Sequence, residues 1–236
     1  MKQGSLERRG VGLIGGLAVG ATVYYYRSIV AACQQRGFAP RLMIAHADLE
    51  RVLPLIANAE RAQLADYLAG FVTDFENAGL AFAAVSAVAP HICHAELLER
   101  TTLPIIDLLE VTRLELERRG LKRVTLFGNR MSMESRLFGG LPDVEVVLPK
   151  PDELTLIHET YSAVARAGHA TTAQIDTLRD LAHLICSRDA VEAVVLAGTD
   201  LSVVFDETNT DFPAVDCAKL HVEAITERLA HPFSSE

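Results

Sequence analysis

Three pairs of strand ends recur in the same order in the two halves of the chain, and this repeat limits the fold more than any other feature. Val11-Gly-Leu-Ile-Gly-Gly16 pairs with Arg123-Val-Thr-Leu-Phe-Gly-Asn129, and Ala83-Ala-Val-Ser-Ala-Val-Ala-Pro-His91 with Ala193-Val-Val-Leu-Ala-Gly-Thr-Asp200. Leu103-Pro-Ile-Ile-Asp107 then pairs with Phe212-Pro-Ala-Val-Asp216. Each is an apolar run that ends in small or polar residues. In an α/β protein that is where a strand hands over to a helix and where ligands collect. Two similar halves should therefore face each other, with Ala87 and Gly198 at equivalent points and the function between them.

The rest of the chain fits that frame. Helical patterns are expected over 19–35, 58–78 and 109–119 in the first part, then 131–137, 153–165, 172–187 and 218–230. They alternate with strands at 11–14, 41–45, 82–87, 104–107, 123–127, 144–148, 193–197 and 213–215. Alternation of this kind implies parallel sheets with helices on both faces. The expected fold class is α/β, with two pseudo-symmetric lobes, each a parallel sheet flanked by helices. The N-terminal lobe is assigned residues 10–106 plus 218–236 and the C-terminal lobe residues 107–217. Residues 1–9 read as a disordered lead-in.

A formal net charge of -9 argues against a nucleic-acid surface, and no basic cluster suits an anionic membrane. Lys2, Arg8 and Arg9 precede an apolar run from Val11 to Val23. Its four glycines, the missing cleavage site and the need for a first strand favour structure over a signal peptide. Cys33, Cys93, Cys186 and Cys217 show no regular spacing and read as reduced thiols of a cytoplasmic protein. The Gly12–Gly20 run lacks the spacing of a dinucleotide fingerprint.

The ordered set Gly-Leu-Ile-Gly-Gly (12–16), a motif ending at His91, Leu-Pro-Ile-Ile-Asp (103–107), Gly-Asn-Arg-Met-Ser-Met-Glu-Ser (128–135), Leu-Ala-Gly-Thr-Asp (196–200) and Pro-Ala-Val-Asp-Cys…His (213–221) resembles the aspartate/glutamate racemase family. The resemblance covers residues 10 to 230. It implies an aspartate racemase-like fold, a substrate held between the lobes, and cofactor-free chemistry with one cysteine on each face of the α-carbon. Two departures matter. The family's Cys-Asn-Thr-x-His is here Ala87-Val-Ala-Pro-His91, and its Gly-Cys-Thr-Glu is Ala197-Gly-Thr-Asp200. Neither alanine nor glycine moves a proton, so two-thiol racemisation is not expected.

His91 and Asp200 are the remaining proton-handling candidates, against plain readings as a helix-capping histidine and a helix cap. Helix starts after Gly16, Ala87, Asn129 and Gly198 are expected to aim N–H groups at a carboxylate. Asn129, Ser132 and Thr199 would add polar contacts. Arg166, otherwise a solvated helix end, stands where the resemblance allows a basic residue for a distal carboxylate. Cys217 and His221 fall near the cleft by the same resemblance, with packing as the competing role. His46-Ala-Asp48 and His91…His94 look like metal-ligand fragments, but two ligands make no site, so no metal and no cofactor are expected. The expected partner is a small carboxylate or amino-acid-like molecule, and homodimer formation stays open. The favoured activity is isomerisation, decarboxylation or elimination with His91 or Asp200 as base. The alternative is an inactive binding or regulatory homologue.

Overall fold

The computed structural model describes residues 10–206 and 208–230. The expected lead-in over residues 1–9 and the last six residues lie outside them. Strands β1 (Gly10–Gly15), β2 (Arg41–His46), β3 (Phe82–Val85) and β4 (Ile105–Ile106) form one parallel sheet in the order β2-β1-β3-β4. Strands β5 (Arg123–Phe127), β6 (Glu145–Val146), β7 (Ala193–Leu196) and β8 (Ala214–Asp216) form a second parallel sheet in the matching order β6-β5-β7-β8. The repeat in the sequence is therefore a repeat of topology. β1, β3 and β7 are buried throughout, which explains why they read as unbroken apolar runs.

Helices fill the crossings. They are α1 (Val19–Gln35), α2 (Leu49–Ala57), α3 (Arg61–Asn77), α4 (His94–Leu98), α5 (Leu108–Arg118), α6 (Arg130–Glu134), α7 (Pro151–Ala167), α8 (Thr172–Asp189) and α9 (Cys217–Ala230). The helix expected over 58–78 is α3, shorter at both ends. Before it lies α2, which is absent from the sequence expectation and carries Pro54 inside it. Asp48 caps α2 by accepting the Glu50 N–H, and Val52 and Ile56 bury its inner face. The helix expected over 131–137 stops at Glu134, because Arg136, Leu137 and Phe138 all take left-handed backbone angles. β4 and β6 shrink to two residues each.

One face of the first sheet packs on α2 and α3 through Ile14, Val52, Leu68, Phe75 and Val85. The other face packs on α1 and α9 through Leu13, Tyr25, Phe82, Val222 and Ile225. A third core, including Leu126, Phe127, Ile157, Leu178 and Val195, fills the second lobe. The lobes interlock at the strand ends. Val88 of the first enters the second lobe's core, and Met131 of the second packs against the first.

Candidate active site

The ends of β1, β3, β5 and β7 point at one cleft between the lobes, and a cavity of about 840 Å³ opens there. One wall is apolar: Leu49, Val52, Leu53 and Ile56 from α2, with Leu17 and Ala87 through Pro90 beside them. The facing wall carries Asn129, Arg130, His158, Tyr161, Ser162, Arg166, Thr199 and Asp200. A second cavity, of about 940 Å³, begins on the other side of Leu17 and Ala18, and Arg166 borders both.

Asp200 is buried at the floor. Its Oδ1 accepts the Ala21 N–H of α1 across the lobe boundary at 3.2 Å, and its Oδ2 accepts the Tyr161 hydroxyl at 3.3 Å. Burial raises its pKa above the usual carboxylate range, although both hydrogen bonds pull the other way. Tyr161 is held well above an ordinary phenol, first by burial and then by the Asp200 charge. Each group of the pair therefore gives up its proton less readily than the free side chain. Nothing in the local sequence marked Tyr161 as a partner of Asp200.

The same ring explains position 198. A Cβ on Gly198 would stand 2.3 Å from Tyr161 Cε2 and 2.7 Å from Cζ. The ring occupies the space that a side chain at 198 would need, and Gly198 itself does not line the cavity. Ala87 does. No cysteine lines the cavity among the described residues. Cys217 lies in the second lobe's core with its thiol pushed up to about 12 by burial. Cys93 is likewise buried and pushed up to about 12.

His91 does not line the cavity either, contrary to the placement expected from sequence. Its ring is buried behind the Ala87 strand end, with Nδ1 2.9 Å from the Ala87 carbonyl. A carbonyl only accepts, so Nδ1 carries the proton and Nε2 is left as an acceptor, 3.4 Å from the Leu108 N–H. Burial, the largest cause, lowers its pKa despite the raising effect of Asp107. His221 is wholly buried and also off the cleft. Its Nε2–H donates to the Ile106 carbonyl at 3.1 Å, and its Nδ1 accepts the Tyr25 hydroxyl at 3.0 Å. Burial takes its pKa down to about 3, so it is neutral. Both histidine rings are buried and bonded to backbone carbonyls.

The N–H cradle expected from four helix starts is partly used by the protein itself. Asn129 caps α6 by accepting the Ser132 N–H at 2.8 Å, and His158 Nδ1 accepts the Arg130 N–H at 3.2 Å. Asp200 takes the Ala21 N–H, and the Thr22 hydroxyl takes that of Gly16 at 3.0 Å. Gly16 lines the second cavity; its φ of +84° and the Ala47 carbonyl 2.5 Å from a would-be Cβ both require glycine. Ser132 is buried away from the cavity with its hydroxyl unpartnered among the described residues. His158 was not singled out from sequence. With Nδ1 accepting, its Nε2 carries the proton, and burial ahead of the Arg130 charge lowers the pKa of the ring. Arg166 is exposed at the end of α7 and makes no ion pair among the described residues.

Outside the cavity, His91, His94 and Asp107 place their ligating atoms within 4.8 Å of one another. Among the described residues, no helix is long and apolar enough to cross a membrane.

A family model described as Asp/Glu/hydantoin racemase matches residues 14–225. Solved structures share the fold at low identity. A candidate Asp/Glu racemase from Yersinia pestis is 18% identical with a TM-score of 0.82, over 94% of this chain and 100% of that one. An aspartate racemase homologue from Pyrococcus horikoshii OT3 is 20% identical with a TM-score of 0.78, over 94% and 100%. An arylmalonate decarboxylase is 15% identical with a TM-score of 0.55, over 95% and 94%.

Proposed function

Because this chain belongs to the Asp/Glu/hydantoin racemase family, we propose that its cleft converts a small carboxylate without a cofactor, using Asp200 and Tyr161 as a single proton-transfer pair. The observation that carries this reading is Asp200: a buried carboxyl in the cavity wall, raised in pKa and bonded to a buried phenol. A buried carboxyl whose pKa is raised in this way is the kind of group that serves general acid–base work. Arg166, with no ion pair among the described residues, supplies the charge for the substrate carboxylate. Asn129 and the Nε2–H of His158 stand on the same wall. The apolar α2 wall suits a substrate with a hydrocarbon or aromatic body.

The opposite face, Ala87 to Pro90, offers no side chain that titrates. Titratable side chains on one side only, Asp200 and Tyr161 with His158 and Glu134, favour decarboxylation, elimination or one-base isomerisation over two-base racemisation. The arylmalonate decarboxylase likeness agrees with a lyase on this fold. His91 takes no direct part in this scheme; it holds the Ala87 strand end in place. Four cysteines outside any disulfide support a reducing, cytoplasmic setting.

The test is a screen of mono- and dicarboxylates by thermal shift, with each hit followed by NMR for exchange, loss of carboxylate or elimination. Asp200→Asn should lower turnover by roughly a hundredfold or more, and Tyr161→Phe should lower it less. Cys93→Ala and Cys217→Ala should leave it unchanged. Full turnover in Asp200→Asn would refute the assignment, as would ligands that bind and are never converted.

A further inference from the structure

We propose that His91, His94 and Asp107 form a binding site for one divalent transition-metal ion of the Zn2+ type, fixing the first lobe behind the cleft. The sequence shows only the His91…His94 fragment, and the fold supplies the third ligand from the far end of β4. His91 lies in the 3-10 turn Ala89–Cys93, His94 opens α4, and Asp107 is the N-cap of α5. His94 Nε2 is 3.5 Å from Asp107 Oδ2, and His91 Nε2 is 3.9 Å from Asp107 Oδ1. The two rings are stacked, with centroids 5.8 Å apart. A tetrahedral ion with bonds of about 2.0–2.1 Å holds its ligand atoms about 3.3 Å apart. The pairs at 3.5 and 3.9 Å then need to close by about 0.2 and 0.6 Å around such an ion, and the three ligand atoms, all within 4.8 Å of one another, by at most about 1.5 Å.

The hydrogen bonding is the second argument. His91 Nδ1–H donates to the Ala87 carbonyl, as metal-bound histidines commonly donate their outer nitrogen to a backbone carbonyl. That bond fixes the tautomer and turns the Nε2 lone pair toward the Asp107 carboxylate. Two acceptors then face each other with no proton between them, an arrangement that a cation resolves. The contact an ion displaces is the Leu108 N–H to His91 Nε2, which is long at 3.4 Å. Asp107 can serve both roles, since its Oδ1 also caps α5 through the Leu109 N–H at 2.8 Å. Side-chain exposures of 18% for His94 and 26% for Asp107 leave the ion a route in from solvent and room for a water as fourth ligand. Two imidazoles and one carboxylate suit zinc and its first-row neighbours better than magnesium or calcium. None of the three residues lines the cleft cavity. The ion ties the turn after β3 to the start of α5, and its role is to position rather than to react.

The test uses the full chain stripped with chelator, then given Zn2+, Co2+ or Mg2+. One Zn2+ per chain should survive gel filtration, the melting temperature should rise with Zn2+ but not with Mg2+, and Co2+ should give visible bands of nitrogen–oxygen coordination. Asp107→Asn keeps a good helix cap and removes the anionic ligand; His94→Gln removes one imidazole at a half-buried position. Each should weaken Zn2+ binding by at least about tenfold and abolish both the thermal shift and the Co2+ spectrum. His183→Ala, at the surface pair His183–Asp211, should change none of these. Zinc uptake undiminished in Asp107→Asn and His94→Gln would overturn the proposal. No uptake by the wild-type chain, or loss confined to His183→Ala, would overturn it equally.

Discussion

The Tyr161 ring lies where a side chain at position 198 would have to go, so glycine there and the phenol beside it form one structural choice. The phenol in turn bonds to Asp200, whose state sets a measurable pH dependence. Burial holds the folded-state pKa of Asp200 above the ordinary 3.8, so the folded chain keeps a proton that the unfolded chain releases. Stability from this group is complete below 3.8 and is lost as pH rises toward the folded-state value. Asp200→Asn removes that titration. In urea unfolding, the stability of wild type minus that of the variant should therefore fall as pH rises from below 3.8 toward neutrality. A difference that is flat or rising would show that Asp200 is ionised at no cost. At this scale the sequence offered candidate residues but not which way they face. His91 was visible as a histidine at a strand end, yet its ring turns back to the Ala87 carbonyl. Tyr161 and His158 went unnoticed because they meet the cleft from α7, with no motif linking them to the strand ends.

Among the elements, the inner strands β1, β3, β5 and β7 were legible because the sheets bury them, and a buried strand writes an unbroken apolar run. α2 was not, because Pro54 breaks the local helix pattern and only packing through Val52 and Ile56 outweighs it. Asp107 shows the same limit: its place beside His91 and His94 depends on β4 pairing with β3, which no local pattern encodes. α8 is the opposite case, with its start held by a capping box local to the chain. Thr171 accepts the Gln174 N–H, and the Gln174 side chain accepts the Thr171 N–H at 2.8 Å. Thr171→Ala should cost about 0.5–2 kcal/mol, read from the urea midpoint at constant slope. A cost near zero would mean that α8 is held by Leu178, Leu181 and Ile185 alone.

For the whole molecule, the matching sheet orders impose a pseudo-twofold relation that the cleft chemistry does not obey. The backbone repeats, but one lobe brings Asp200 and Tyr161 to the cavity and the other brings Ala87, Val88 and Ala89. Any carbanion formed in the cleft should then be protonated from the C-terminal lobe alone. Turnover in D2O should place deuterium on one face and give a single enantiomer, read by chiral chromatography and NMR. A racemic, doubly exchanged product would require a second proton carrier on the Ala87 side. A cleft with no thiol among the described residues also has a chemical consequence outside catalysis. Peroxide and alkylating reagents attack thiolates, and here the half-buried Cys186 is the most accessible thiol, on α8 and outside the cavity. Oxidative exposure that would silence a thiol enzyme should leave the Asp200 and Tyr161 side chains unmodified, with the Met131 thioether as the oxidisable sulfur among the described residues lining this cleft.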